Sequence, residues 1–528
     1  SAPRVLDVEA KLDEATATQI VYLYDQISHA YRGDAPDYFD LVGRKRIVGG
    51  TMRPSLRIGS IDVGGGTTDL AIYTYTLTDR VVVPQEEFRE GFRLAGDDVL
   101  ETVVMRHVMP GLRRALAAAV YGGGTLGTER AQQFLVSLLR VPAGTEPERQ
   151  ARRLVLNHVF VPAALGLLAE YEGWNPMAAG GVETRTIGQF LGARSAGLTA
   201  VVPVTRGAAP EPAGLRAAAW LNGRVAELGV RGFNVEQVAL ELDFAAIDAT
   251  VSQTLQEAIE PLCEIVNRFG CDVLLLSGRG ARWPAVGAMV TASLAIEPHR
   301  VQPMHQYRVG AWYPFADGTG RIFDPKTTVA VGAMLYRLLR GGQLDNFALT
   351  DKFTMRSTAR YVGLMESDRR IRADRVLFRD LTTAVATDPT ADPGAQGETE
   401  ESERPLTFSG RSFLGFKQFA AERWPASPLY RIEFSGAEAA AGVALPLSFT
   451  LRRRLTRDPD GDAMEFEIDE TSVMDARGAP LRPGTLVRSL QTLPGDEGSH
   501  WLDAGQLATL DSILAAMSDD PHSSSGGG

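Results

Sequence analysis

Residues 61–72 read Ile-Asp-Val-Gly-Gly-Gly-Thr-Thr-Asp-Leu-Ala-Ile, and this stretch constrains the chain more than any other. The apolar-rich run Arg57–Val63 suits a buried strand, and Leu70–Leu77 has strand character too. A glycine turn therefore joins two strands of a hairpin. Glycines there adopt positive φ freely and let backbone N–H groups approach an anion closely. Asp62 and Asp69 bracket the turn, where they could hold a hydrated Mg²⁺, usually bound through one or two carboxylates beside phosphates. The plainer reading is a hairpin whose tight turn needs glycine. Strand–DxGGGT–strand also differs from the strand–loop–helix phosphate motifs, so both readings stand on this segment alone.

The chain of 528 residues is long enough for roughly two to four domains. Its 44% hydrophobic and 23% charged residues are ordinary for a soluble globular protein. A net charge of -11 argues against nucleic acid or an anionic membrane surface as the main partner. The two cysteines, Cys263 and Cys271, rule out a disulfide framework and fit a reducing, cytoplasmic compartment. No apolar run reaches the ~18 residues of a membrane span, and no signal peptide is legible. The seven histidines are scattered, without metal-ligand spacing.

Along the chain, Glu9–Tyr31 has helical spacing of apolar residues, and Gly33, Asp34 and Pro36 end it. Arg80–Val83 and Phe88–Leu94 read as further strands. Asp97–Val120 reads as helix interrupted near Pro110, and the chain to about residue 230 as mostly helical. Phe244–Phe269 is the cleanest helix, with one apolar stripe, Gly270 as its C-cap and a kink expected at Pro261. Cys271–Leu276 is a buried strand, and Pro284–Leu294 and Lys326–Leu339 are helices. Residues 345–515 read as a β-rich domain holding an acidic disordered loop, 384–405, and a turn at Asp458–Asp462. Residues 516–528 read as a flexible tail.

Four segments gain meaning beside the glycine turn. These are Asp13-Glu14-Ala15-Thr16-Ala17, Leu94-Ala95-Gly96-Asp97-Asp98, Ser277-Gly278-Arg279-Gly280-Ala281-Arg282, and the small-residue helix around Gly332. Their order resembles the actin-like ATPase superfamily, most closely the nucleotide-binding domain of seventy-kilodalton heat-shock chaperones, over roughly residues 9–340. The resemblance implies that Gly64, Gly65, Gly66, Thr67 and Thr68 cradle the terminal phosphates of ATP. It implies that Asp62 and Asp69 hold Mg²⁺ through water, with Glu14 reaching the same catalytic shell. Gly278, Arg279 and Gly280 would border the adenosine, Arg282 would stack beside adenine, and Gly96 would open the helix on the ribose side. Read from the residues alone, Glu14, Asp97 and Asp98 also serve as early-turn helix acids, Arg279 and Arg282 as solvated charges, and Gly332 as a close-packing residue.

Departures matter. Arg279 replaces a glycine of the chaperone adenosine loop, and the stretch between the Asp97 helix and that loop is longer than a chaperone's. No first phosphate loop precedes residue 61, so the chain is expected to carry the second half of such an ATPase. The complete pattern resembles the bacterial virulence factor SrfB family, on residues 57–77, the loop Leu274–Val286, Phe413–Gln418 and Ala421–Pro425, with Leu490–Leu493 and Trp501–Asp503 adding to it.

The expected fold class is therefore α/β. An actin-like (ribonuclease H-like) core spans residues 1–109 and 231–344, with a helical insertion at 110–230 and the β-rich domain behind. The expected function is an ATP- and Mg²⁺-dependent conformational switch. The alternative is an inactive actin-like scaffold that binds partner proteins through residues 110–230 and 345–515.

Overall fold

The computed structural model describes residues 12–139 apart from 49, 93 and 122–123, and residues 151–191 apart from 153 and 179–180. It further describes 213–350 apart from 228 and 231, 359–381 apart from 367–368 and 380, and 401–490 apart from 411, 423, 425 and 457–462. It is a mixed α/β protein. Its described residues form two compact units, the first from residues 12–59, 69–92 and 332–490, the second from 60–68 and 94–331.

The first unit opens with the helix Glu14–Tyr24, which starts where the Asp13 carboxylate accepts from Thr16 N–H at 2.6 Å. Every residue from Ala15 to Leu23 is buried. The helix expected from Glu9 thus begins at its cap, and residues 9–11 lie outside the described residues. Its last turn widens into a π segment, Asp25–Ala30. Strands β1 (Arg44–Val48), β2 (Thr51–Val63), β3 (Thr68–Thr78) and β4 (Val81–Phe92) follow, with β1 antiparallel to β2 and β3 between β2 and β4. The two strands expected at 80–83 and 88–94 are one strand. Pro84 does not break it, because β4 is an edge strand of the sheet, where a missing N–H is tolerated. A Cβ at Gly332 would lie 2.2 Å from the Ala17 carbonyl oxygen, so the close-packing role read for that glycine is real.

In the second unit the helix Gly96–Val103 runs through a π segment, Val104–Val108, into Met109–Tyr121. Pro110 causes no break, since the π turn directly before it absorbs the irregularity. Strands β5 (Glu183–Thr186) and β6 (Ala239–Leu242) form an antiparallel pair inside the region expected to be mostly helical. Phe244–Phe269 has the bounds expected of it, with Asp243 as N-cap and Gly270 at φ +58° ending it, and it continues through Pro261. Strand β7 (Val273–Ser277) is wholly buried and leads through Pro284–Ser293 to the parallel strand β8 (Val301–Pro303), a βαβ unit.

The rest of the first unit is β-rich, and it shares that unit with residues 12–59 and 69–92. Strands β9 (Tyr361–Met365), β10 (Val376–Phe378), β12 (Ser412–Lys417), β13 (Ser427–Phe434) and β16 (Leu486–Leu490) make one sheet. Strands β11 (Glu401–Phe408), β14 (Leu447–Thr456) and β15 (Ala463–Met474) make another. Both contribute to one core of Val362, Phe408, Leu414, Ile432, Leu447 and Phe449 among others. The acidic loop expected at 384–405 is corrected at its end. Residues 401–405 are strand, paired antiparallel with residues 450–454 of β14, Glu401 opposite Arg454 and Pro405 opposite Thr450. Residues 384–400, the turn at 458–462 and the tail lie outside the described residues.

Candidate functional site

A cavity of about 540 Å³ lies in the second unit, within the ~300–1,000 Å³ of small-molecule sites. Gly64, Gly65, Gly96, Arg279 and Gly280 line it, five of the residues singled out in the sequence. Backbone bonds stitch the loops together. Gly96 N–H donates to Gly64 O at 3.0 Å and Asp97 N–H to Gly65 O at 2.7 Å. A Cβ on Gly96 would meet Gly64 O at 2.9 Å, so glycine is what lets this helix start approach the turn. Within the turn, Gly64 N–H donates to Thr67 O at 2.9 Å.

The other turn residues divide into framework and surface. Gly66 is partly exposed and Thr67 exposed. Thr68 is buried and donates its hydroxyl to Leu94 O at 2.7 Å, which spends it on holding the loop. Asp62 is 4% exposed, and its carboxylate accepts from Ser277 Oγ. Gly278, at φ +82°, packs on that strand, where a Cβ would be 2.3 Å from Val63 O.

Asp69 and Glu14 belong to the first unit. Glu14 is exposed in the first turn of its helix. Asp69 Oδ1 lies where a Cβ on Gly91 would be, 2.3 Å away, so the bare backbone of β4 makes room for the carboxylate. Beside it, Glu90 is buried, and burial followed by the Asp69 charge pushes its carboxyl up to about 8. Among the described residues no group of three or more His, Cys, Asp or Glu could hold a metal ion. The acids that line the cavity are Asp97 and Asp324, with Lys326 beside them. Asp98 instead caps its helix, accepting from Ala95 N–H at 2.8 Å.

Both loop arginines converge on Glu172. Arg279 Nη2 and Arg282 Nη2 each lie 2.8 Å from one of its carboxylate oxygens. Burial raises the Glu172 pKa and the two guanidiniums oppose that rise. Arg282 also stacks on Phe323, 4.6 Å from the ring centre, and is not among the residues lining the cavity. Arg279, which stands where the chaperone loop has a glycine, has its guanidinium drawn onto Glu172.

Sequence reasoning missed the apolar part of the lining. Val161, Leu165 and Leu168, on the helix Val161–Tyr171, present an apolar face to the cavity together with Leu100 and Trp283. Asn157 precedes them in a π segment, Leu156–Phe160. The spacing 157, 161, 165, 168 is one helical face and was the available signal. Tyr171 anchors that helix, donating to Asp248 Oδ1 at 2.6 Å and accepting from Ala285 N–H at 2.9 Å.

A family model described as virulence factor SrfB matches residues 1–508. No curated protein matches the chain. No helix among the described residues is long and apolar enough to cross a membrane.

Proposed function

The chain belongs to the SrfB virulence factor family, and from that footing we propose that it is an actin-like nucleotide-binding protein whose ligand is ATP with Mg²⁺. One observation carries the reading: the turn glycines Gly64 and Gly65, the helix start at Gly96 and the loop Arg279-Gly280 border one cavity. Phosphates favour such a place, because the exposed backbone of a glycine turn attracts anions, while the helix start spends its Gly96 and Asp97 N–H groups on Gly64 O and Gly65 O. Lys326 adds positive charge to the lining, and the apolar face of Val161, Leu165 and Leu168 suits a base.

Mg²⁺ bound with the nucleotide would neutralise phosphate charge. Asp97 and Asp324, the acids of the cavity, would hold its water shell. Asp62 fits that role less well, since it is buried and bonded to Ser277. Occupancy would bias the arrangement of the three loops around the cavity, the basis of a conformational switch. Residues 110–230 and 345–515 are the proposed surfaces for protein partners that read the switch.

Isothermal titration of Mg·ATP into the full chain tests this. Saturable binding, abolished by Gly65→Val without loss of thermal stability, is expected. Failure to saturate at millimolar nucleotide would overturn it and leave the non-enzymatic scaffold.

A further inference from the structure

Two buried polar atoms in the cavity wall lack partners. Among the described residues, no donor reaches Asn157 Oδ1 and no acceptor reaches Trp283 Nε1. Both residues line the cavity, and Trp283 is only 5% exposed. Buried polar atoms are almost always hydrogen-bonded, and each one left bare costs stability. Neither is explained by the fold. Trp283 is seated against the loop by Gly280, where a Cβ would come 3.2 Å from the indole Cζ3. Asn157 stands in a π segment, a distortion frequent at functional sites, at the head of an otherwise apolar face.

We propose that Asn157 and Trp283 read the base of the bound nucleotide, and that the base is adenine. This rests on the nucleotide reading above. One orphan acceptor and one orphan donor call for a planar group bearing one donor and one acceptor on its edge. Adenine supplies an exocyclic amine for Asn157 Oδ1 and a ring nitrogen for Trp283 Nε1–H. Its faces suit the apolar wall of Val161, Leu165 and Leu168. Guanine carries further donors and a carbonyl that this wall would leave unpaired, a penalty that discriminates strongly between ligands. The arginine in the adenosine loop does not stand in the way, because Glu172 holds its guanidinium.

The test compares wild type, Asn157→Leu and Trp283→Phe, each titrated with Mg·ATP, Mg·GTP and inorganic tripolyphosphate, and melted without ligand. Wild type is expected to prefer ATP over GTP. Each variant should lose ATP affinity by about tenfold, the effect of one buried hydrogen bond, while tripolyphosphate binding stays unchanged. Asn157→Leu should also melt higher than wild type, because an unpaired buried acceptor is gone. ATP affinity unchanged in both variants, with wild-type ATP binding intact, would sink base reading and spare the nucleotide reading. A lower melting temperature for Asn157→Leu would assign the amide a structural role and overturn the inference. Wild type that binds neither ATP nor tripolyphosphate would overturn both readings.

Discussion

Ser277 Oγ donates a 2.5 Å hydrogen bond to Asp62 Oδ2, joining two residues 215 positions apart in the chain. Both are buried, so the bond ties the end of β2 to the end of β7 just where each strand turns into a glycine loop. The two loops that border the cavity are thereby set by one carboxylate. Asp62→Ala and Ser277→Ala should each destabilise the protein by about 1–3 kcal/mol, the cost of leaving a buried polar partner bare. Chemical denaturation of both single variants and the double variant should give a non-additive cycle. Additive losses would mean that the bond contributes nothing.

The glycines of the two loops should separate by mechanism. Gly278 has φ +82° and no room for a Cβ, so Gly278→Ala should cost about 1–3 kcal/mol in a denaturation experiment. Gly65 has space, since a Cβ there would meet nothing nearer than Asp97 Oδ1 at 3.5 Å. Gly65→Ala should therefore leave stability within about 0.5 kcal/mol of wild type, while weakening Mg·ATP in a titration. Equal stability losses at both positions would contradict this division.

Glu172 holds both loop arginines, and Arg279 also lines the cavity. Glu172→Gln removes the negative charge while keeping the shape. Tripolyphosphate affinity, measured by titration, should rise severalfold as Arg279 is freed for the anion. An unchanged affinity would show that Arg279 does not face the phosphates.

Glu90 gives the first unit a pH dependence of definite sign. Burial lifts its carboxyl from 4.5 to about 8 in the folded protein, so the folded state keeps a proton that the unfolded chain releases in that window. The contribution is fully present below pH 4.5 and is lost as pH rises through about 8. Denaturation midpoints across that range should fall for wild type and fall less steeply for Glu90→Gln. Parallel slopes would refute the assignment.

What the sequence determined by itself is local. The bounds of Phe244–Phe269 were legible because an apolar stripe and a terminal glycine report helix and C-cap within the segment. The glycine turn at 64–66 and the buried run of β7 were legible for the same reason, as were the β strands after residue 427 with their alternating pattern. Element type follows from periodicity over a few residues. Tertiary structure decided what those elements meet. Only folding shows that Asp62 is sealed against Ser277, that Glu172 collects Arg279 and Arg282, and that Asn157 and the face of Val161, Leu165 and Leu168 wall the cavity. The physical reason is that burial and hydrogen-bond satisfaction depend on neighbours distant in the chain, and no local pattern encodes which ones arrive.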